Sequence, residues 1–129
     1  MAQLVLPAEL SAVSTARHWV SDQVTRCLTA RPGAVDQDVL ELLTSEAVAN
    51  AVRHGAGPVT VAVVCGREHV CIAVTDTSPT VPVVRHVGPD ATGGRGMALI
   101  DRLAARWGLT AASSPAGGKT VWFQLVAGP

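Results

Sequence analysis

Residues 36–55 constrain the fold more than any other stretch of this chain. Asp36 is a good helix N-cap, because its side-chain oxygen can accept from the orphan backbone donors of a first turn. Strong helix formers follow, and Gly55 stands where a helix needs a left-handed stop. A helix is therefore expected over 36–54. Leu40, Leu43, Ala47 and Ala51 form one apolar stripe, and Leu42, Val48, Ala49 and Val52 carry it almost round the cylinder. A helix this apolar must be largely buried. Yet Glu46 and Asn50 lie four residues apart on one face, with His54 four further on. An ionised carboxylate in such surroundings needs a partner, a ligand or a water-filled cleft. The structural alternative is that Glu46 pairs with a basic residue and Asn50 bonds nearby backbone.

The rest of the composition narrows the classes. At 129 residues the chain is expected to form one domain, 1–129, with a real core. Only four residues are aromatic, so that core must be built from Ala, Val and Leu. Ten basic residues balance ten acidic ones, which leaves no electrostatic footprint for nucleic acid or an anionic membrane. The N-terminus lacks the pattern of a signal peptide, and no apolar run approaches the roughly 20 residues of a membrane span. Cys27, Cys65 and Cys71 are odd in number and without CxxC spacing, so free thiols in a reducing cytoplasm are expected.

In chain order, residues 3–6 alternate weakly and end at Pro7, which reads as a short edge strand. Apolar positions from Val13 to Leu28 follow a helical period, giving a helix over 11–30 stopped by Pro32 and Gly33. After the central helix the period changes to two. Val59, Val61 and Val63 form one strand, and Val70, Ile72 and Val74 a second that ends at Asp76, with a tight connection at 66–68. Residues 77–92 hold three prolines and no periodicity, a long loop of the kind that is often functional. A helix is expected over 97–107 with Gly108 as its stop. A short strand is expected over 109–112, and a last strand over 119–126. In that last strand Thr120, Trp122 and Gln124 share one face, and Val121, Phe123 and Leu125 the other. The order predicts an α+β fold: a two-layer sandwich of a mixed, mostly antiparallel sheet with helices on one face.

Polar or glycine-rich interruptions mark four places: Glu46/Asn50, Asp76, 93–96 and 117–120. Glycines opening a helix let backbone donors approach an anion, where the helix dipole favours phosphate. Asp76, at the end of a buried strand, can accept from an amino group of a base, or simply close an Asx-turn. A P-loop reading of Gly118-Lys119-Thr120 fails, since a strand rather than a helix follows and the first glycine of that motif would fall at Ser113. Cys65, His69 and Cys71 make a poor metal site, with no fourth ligand close in sequence.

Taken together and in order, these places resemble the boxes of the GHKL nucleotide-binding superfamily, in the form found in anti-sigma factor serine kinases. The stretch from Glu46 to Gly55 is similar to the N-box. Asp76 matches the aspartate of the first glycine box, Gly94, Arg95, Gly96 and Met97 the second, and Gly118 with Thr120 the last. One box departs: Asp76 is followed by Thr77, Ser78 and Pro79, where the family often has two glycines. The resemblance implies a Bergerat-type ATP-binding sandwich with ATP and Mg²⁺ as cofactors. Asn50 would hold the metal, and Glu46 would act as general base. Asp76 would accept from the adenine amino group, with Thr120 supporting it through water. His54, Arg95, Met97, Gly118 and the glycines 94 and 96 would line the nucleotide, under a lid formed by 77–92.

The resemblance further implies a regulator that phosphorylates a serine or threonine on an anti-anti-sigma (STAS) partner and otherwise sequesters a sigma factor, as a homodimer in the cytoplasm, with no direct contact to nucleic acid or membrane. Two alternatives stand beside it: a non-catalytic, nucleotide-dependent binding module, and a simple ATPase. A complete sensor histidine kinase is disfavoured, because this length leaves no room for its dimerisation and phosphoacceptor domains.

Overall fold

The computed structural model describes residues 1–28, 31, 33–54, 57–77, 95–111 and 118–128. Its elements are β1 (Ala2–Leu6), α1 (Ser11–Cys27), α2 (Gln37–His54), β2 (Val59–Cys65), β3 (His69–Asp76), α3 (Arg95–Leu103), β4 (Arg106–Ala111) and β5 (Lys119–Val126). The five strands form one sheet in the order β1-β2-β3-β5-β4. All four pairings are antiparallel, so the expected mixture resolves to a uniformly antiparallel sheet among the described residues. The α+β sandwich is as expected. β1 lies at one edge of the sheet, as expected.

One sheet face carries the core. Val59, Val61 and Val63 of β2, Val70, Ile72 and Val74 of β3, and Val121, Phe123 and Leu125 of β5 are all buried. Against them pack Ala12, Ala16, Val20 and Val24 of α1, which recur every fourth residue, and Leu40, Leu43, Ala47, Val48 and Ala51 of α2. Small alanines at these helix positions let α1 and α2 approach closely, which is how a core with one phenylalanine closes. Asp36 caps α2 as its position predicts, its Oδ1 accepting from the Val39 amide at 3.1 Å. Leu42 falls on the solvent side, 39 % exposed, so the apolar girdle of α2 is not closed.

Three expectations are corrected. The first helix stops at Cys27 rather than 30, with the Leu28 amide closing it on the Val24 carbonyl. The third helix begins at Arg95 and ends at Leu103, and β4 already starts at Arg106. Gly108 is therefore not a helix stop. It sits in β4 opposite Trp122, and a Cβ there would lie 2.5 Å from the indole Cζ2, so glycine makes room for the ring. Trp107 turns back instead, its Nε1 donating to Asp101 Oδ1 at 2.8 Å.

The third correction concerns the thiols. Cys27, at the end of α1, and Cys65, at the end of β2, form a disulfide with their Cα atoms 6.5 Å apart. Only Cys71 is free, and burial pushes its thiol above the ordinary value, against a smaller opposing effect of Gln124. Two cysteines 38 residues apart carry no local signature of pairing; the contact exists only because α1 packs back along β2. No helix among the described residues is long and apolar enough to cross a membrane.

Candidate nucleotide site

The central helix and α3 meet at the residues the sequence singles out. Asn50 is 4 % exposed. Its Nδ2 donates to the Met97 Sδ at 3.8 Å, a weak bond, and its Oδ1 is buried with no hydrogen-bond partner. A buried carbonyl oxygen without a partner is costly, and its survival points to a ligand. Glu46, one turn earlier and half-buried, lies against the first turn of α3. A Cβ at Gly96 would stand 2.8 Å from Glu46 Oε2 and 3.4 Å from Glu46 Cβ. Glycine at position 96 is thus what lets the helix start reach the carboxylate.

This donor set suits a hard cation. A neutral amide oxygen such as Asn50 Oδ1 can serve a Mg²⁺ whose other ligands are phosphate and water oxygens. The helix α3 begins at Arg95, beside Glu46, and a helix start carries unpaired backbone donors that favour an anion.

The second cluster lies where β3 and β5 end side by side. Asp76 and Lys119 are register partners, and both are buried. The Lys119 Nζ donates to Asp76 Oδ2 at 2.9 Å and to Oδ1 at 3.1 Å. Gly118, at φ +112°, brings the chain in so tightly that a Cβ would meet the Asp76 carbonyl oxygen at 2.6 Å. Gly57, at φ +85°, lies in the same way against the Thr77 side chain, joining the turn after α2 to the end of β3.

The register places Thr120, expected to support Asp76 through water, one position along β5 from the residue opposite Asp76. Thr120 pairs with Thr75, and their hydroxyls share a hydrogen bond of 2.7 Å on the face of the sheet away from the helices. Strand alternation puts Asp76 and Lys119 on the helix-facing side. Lys119, not Thr120, is the residue that meets the aspartate. Its signal is present in the sequence: position 119 shares the inward phase of Val121, Phe123 and Leu125.

Gly94 and the expected lid, apart from Thr77, lie outside the described residues, as do the side chains of His54 and Arg95. Among the described residues no three His, Cys, Asp or Glu side chains gather as metal ligands, and Cys65 is consumed in the disulfide. A cleft of about 390 Å³ between α1 and α2 includes Val24, Leu28, Val35 and Arg31 in its walls. The Arg31 guanidinium is engaged by the carbonyls of Arg67 and Gly128, at 2.7 and 3.3 Å, and ties down the C-terminus.

Comparison with known proteins fits this geometry. Residues 6–125 match the family model described as the histidine kinase-like ATPase domain. The signal transduction histidine-protein kinase AfsQ2 of Streptomyces coelicolor is 33 % identical over 84 residues, 53 % of this chain. The chain spans only 16 % of that relative's length. The mycobacterial sensor histidine kinase MprB has the same fold, with a TM-score of 0.58 over 99 % of each chain at 14 % identity.

Proposed function

The chain belongs to the histidine kinase-like ATPase family, and from that membership and the site's chemistry we infer that it binds Mg-ATP and transfers the terminal phosphoryl group to a protein side chain. The observation that carries this reading is the buried, unpartnered Asn50 Oδ1 one turn from Glu46, with Gly96 of α3 against the Glu46 side chain. Phosphoryl transfer asks for positioning and charge neutralisation rather than covalent help. In this reading Asn50 holds Mg²⁺, which, when bound, neutralises the phosphates. The backbone at the start of α3 holds phosphate oxygens. Glu46 takes the proton from the attacking hydroxyl, and Asp76 accepts from the adenine amino group.

The acceptor we propose is a serine or threonine of an anti-anti-sigma (STAS) partner, with a sigma factor bound in the alternative state and the protein acting as a homodimer. The similarity of the N-box stretch 46–55 to anti-sigma serine kinases supports this. The histidine kinases among its relatives favour a second reading, transfer to a histidine of another domain or protein.

One experiment separates the readings. The protein is incubated with γ-labelled ATP and candidate acceptors, and the labelled product is treated with acid and with alkali. Acid-stable label on a STAS protein supports serine or threonine transfer. Acid-labile, alkali-stable label supports histidine. ATP binding without transfer to any acceptor leaves a nucleotide-dependent binding module.

A further inference from the structure

A lysine only 2 % exposed is unusual, and its place in β5 would otherwise belong to an aliphatic residue. A buried ion pair is often no more stable than well-packed apolar residues of the same volume. Stability is therefore a poor reason for Asp76 and Lys119 to face each other. The pair does have a chemical identity that a lone carboxylate lacks: an acceptor and a donor held side by side at the ends of two adjacent strands, 2.9 Å apart. Two of the three ammonium donors go to the Asp76 oxygens, which leaves one for another acceptor. Gly118 fixes the approach, since any side chain there would collide with the Asp76 backbone.

An adenine presents the complement along one edge. Its exocyclic amine donates, and the ring nitrogen N1 beside that amine accepts. We propose that Lys119 is a specificity-determining residue for the nucleotide base: its ammonium, held by Asp76, donates to adenine N1 while Asp76 accepts from the amine. The proposal rests on the ATP-binding reading above. It differs from a role as counter-ion alone, in which Lys119 neutralises Asp76 and touches no base.

The test is a binding cycle by calorimetry. Wild-type protein and Lys119→Met are each titrated with Mg-ATP and with its 1-deaza analogue, which replaces N1 by a carbon. The 7-deaza analogue, altered at an edge the pair does not read, is the control. Wild-type protein should bind the 1-deaza analogue about tenfold or more weakly than ATP, the expected loss of one charge-assisted hydrogen bond. The 7-deaza analogue should bind within about threefold of ATP. In Lys119→Met the difference between ATP and the 1-deaza analogue should largely vanish. Equal binding of ATP and the 1-deaza analogue by wild-type protein would overturn the role of Lys119 and leave ATP binding standing. This arm needs no variant, so it decides even where Lys119→Met does not fold. Persistent discrimination in a folded Lys119→Met would overturn the proposal too. Failure of wild-type protein to bind ATP at all would instead sink the ATP-binding reading, and the proposal with it.

Discussion

Gly96 lies directly against the Glu46 carboxylate, leaving less than van der Waals room for even one methyl group between them. Two helices distant in sequence are thereby locked in contact at the carboxylate proposed to accept the proton. Gly96→Ala should separate stability from activity. Alanine is the better helix former by up to about 1 kcal/mol, and the Glu46 head group is free to swing aside. The melting temperature should therefore hold or rise. Phosphoryl transfer should fall about tenfold or more, because the displaced carboxylate no longer meets the attacking hydroxyl. A thermal melt and a transfer assay on the same sample test both halves. Unchanged transfer would show that Glu46 need not sit where it does.

Glu46 and Asn50 are predicted to fail differently. Glu46→Gln keeps shape and removes basicity, so ATP binding should stay within a few-fold while transfer drops on the order of 10²-fold. Asn50→Ala removes the unpartnered oxygen and should lose Mg-ATP binding and transfer together. Calorimetry paired with single-turnover kinetics separates the two patterns. Transfer by Glu46→Gln at the wild-type rate would return Glu46 to a purely structural role.

The Asp76–Lys119 pair makes a stability prediction independent of any nucleotide. Asp76→Leu takes the carboxylate from a buried ammonium and should destabilise by about 3–5 kcal/mol, and Lys119→Met, which removes one partner of the Asp76 carboxylate, should destabilise as well. The double change should recover most of that loss in urea unfolding. If the double variant is as unstable as the sum of the singles, the pair acts independently and the coupling is wrong.

Thiol titration checks the covalent link. The oxidised protein, unfolded without reductant, should show one reactive thiol, Cys71, and three after reduction. In the native state Cys71 should react slowly at pH 8 and faster as pH rises through its elevated range, because only the thiolate attacks and burial holds the thiol protonated. Breaking the link should lower unfolding free energy by about 2–4 kcal/mol. Three reactive thiols before reduction would mean that the link does not form.

Much of this was legible from residue order, for identifiable reasons. The spacing of Glu46 and Asn50 on an otherwise apolar helix is a local fact, and the structure buries Asn50 as that spacing requires. The hairpin from Val59 to Asp76 and the last strand were equally local, and both fall where their alternation puts them. What escaped was non-local. The period of 97–107 continues past the true end of α3, and only the Trp122 ring packed on Gly108 shows that a strand has begun. Lys119 read as part of a glycine-threonine motif, although its phase along β5 already pointed it inward. That it points at Asp76 depends on which strands pair, and no local pattern states that the fifth strand lies next to the third. The bond between Cys27 and Cys65 was hidden for the same reason.

Asp76 and Lys119 are 43 residues apart, and they close the base of one large excursion that carries α3 and β4. The entropy of closing such a loop grows only with the logarithm of its length, so doubling it would add about 0.6 kcal/mol. Residues can thus be inserted or exchanged between the end of β3 and the start of α3 at little expense to the sheet. Sequence drift in that stretch could remodel what the protein recognises while the strands beneath it stay as they are.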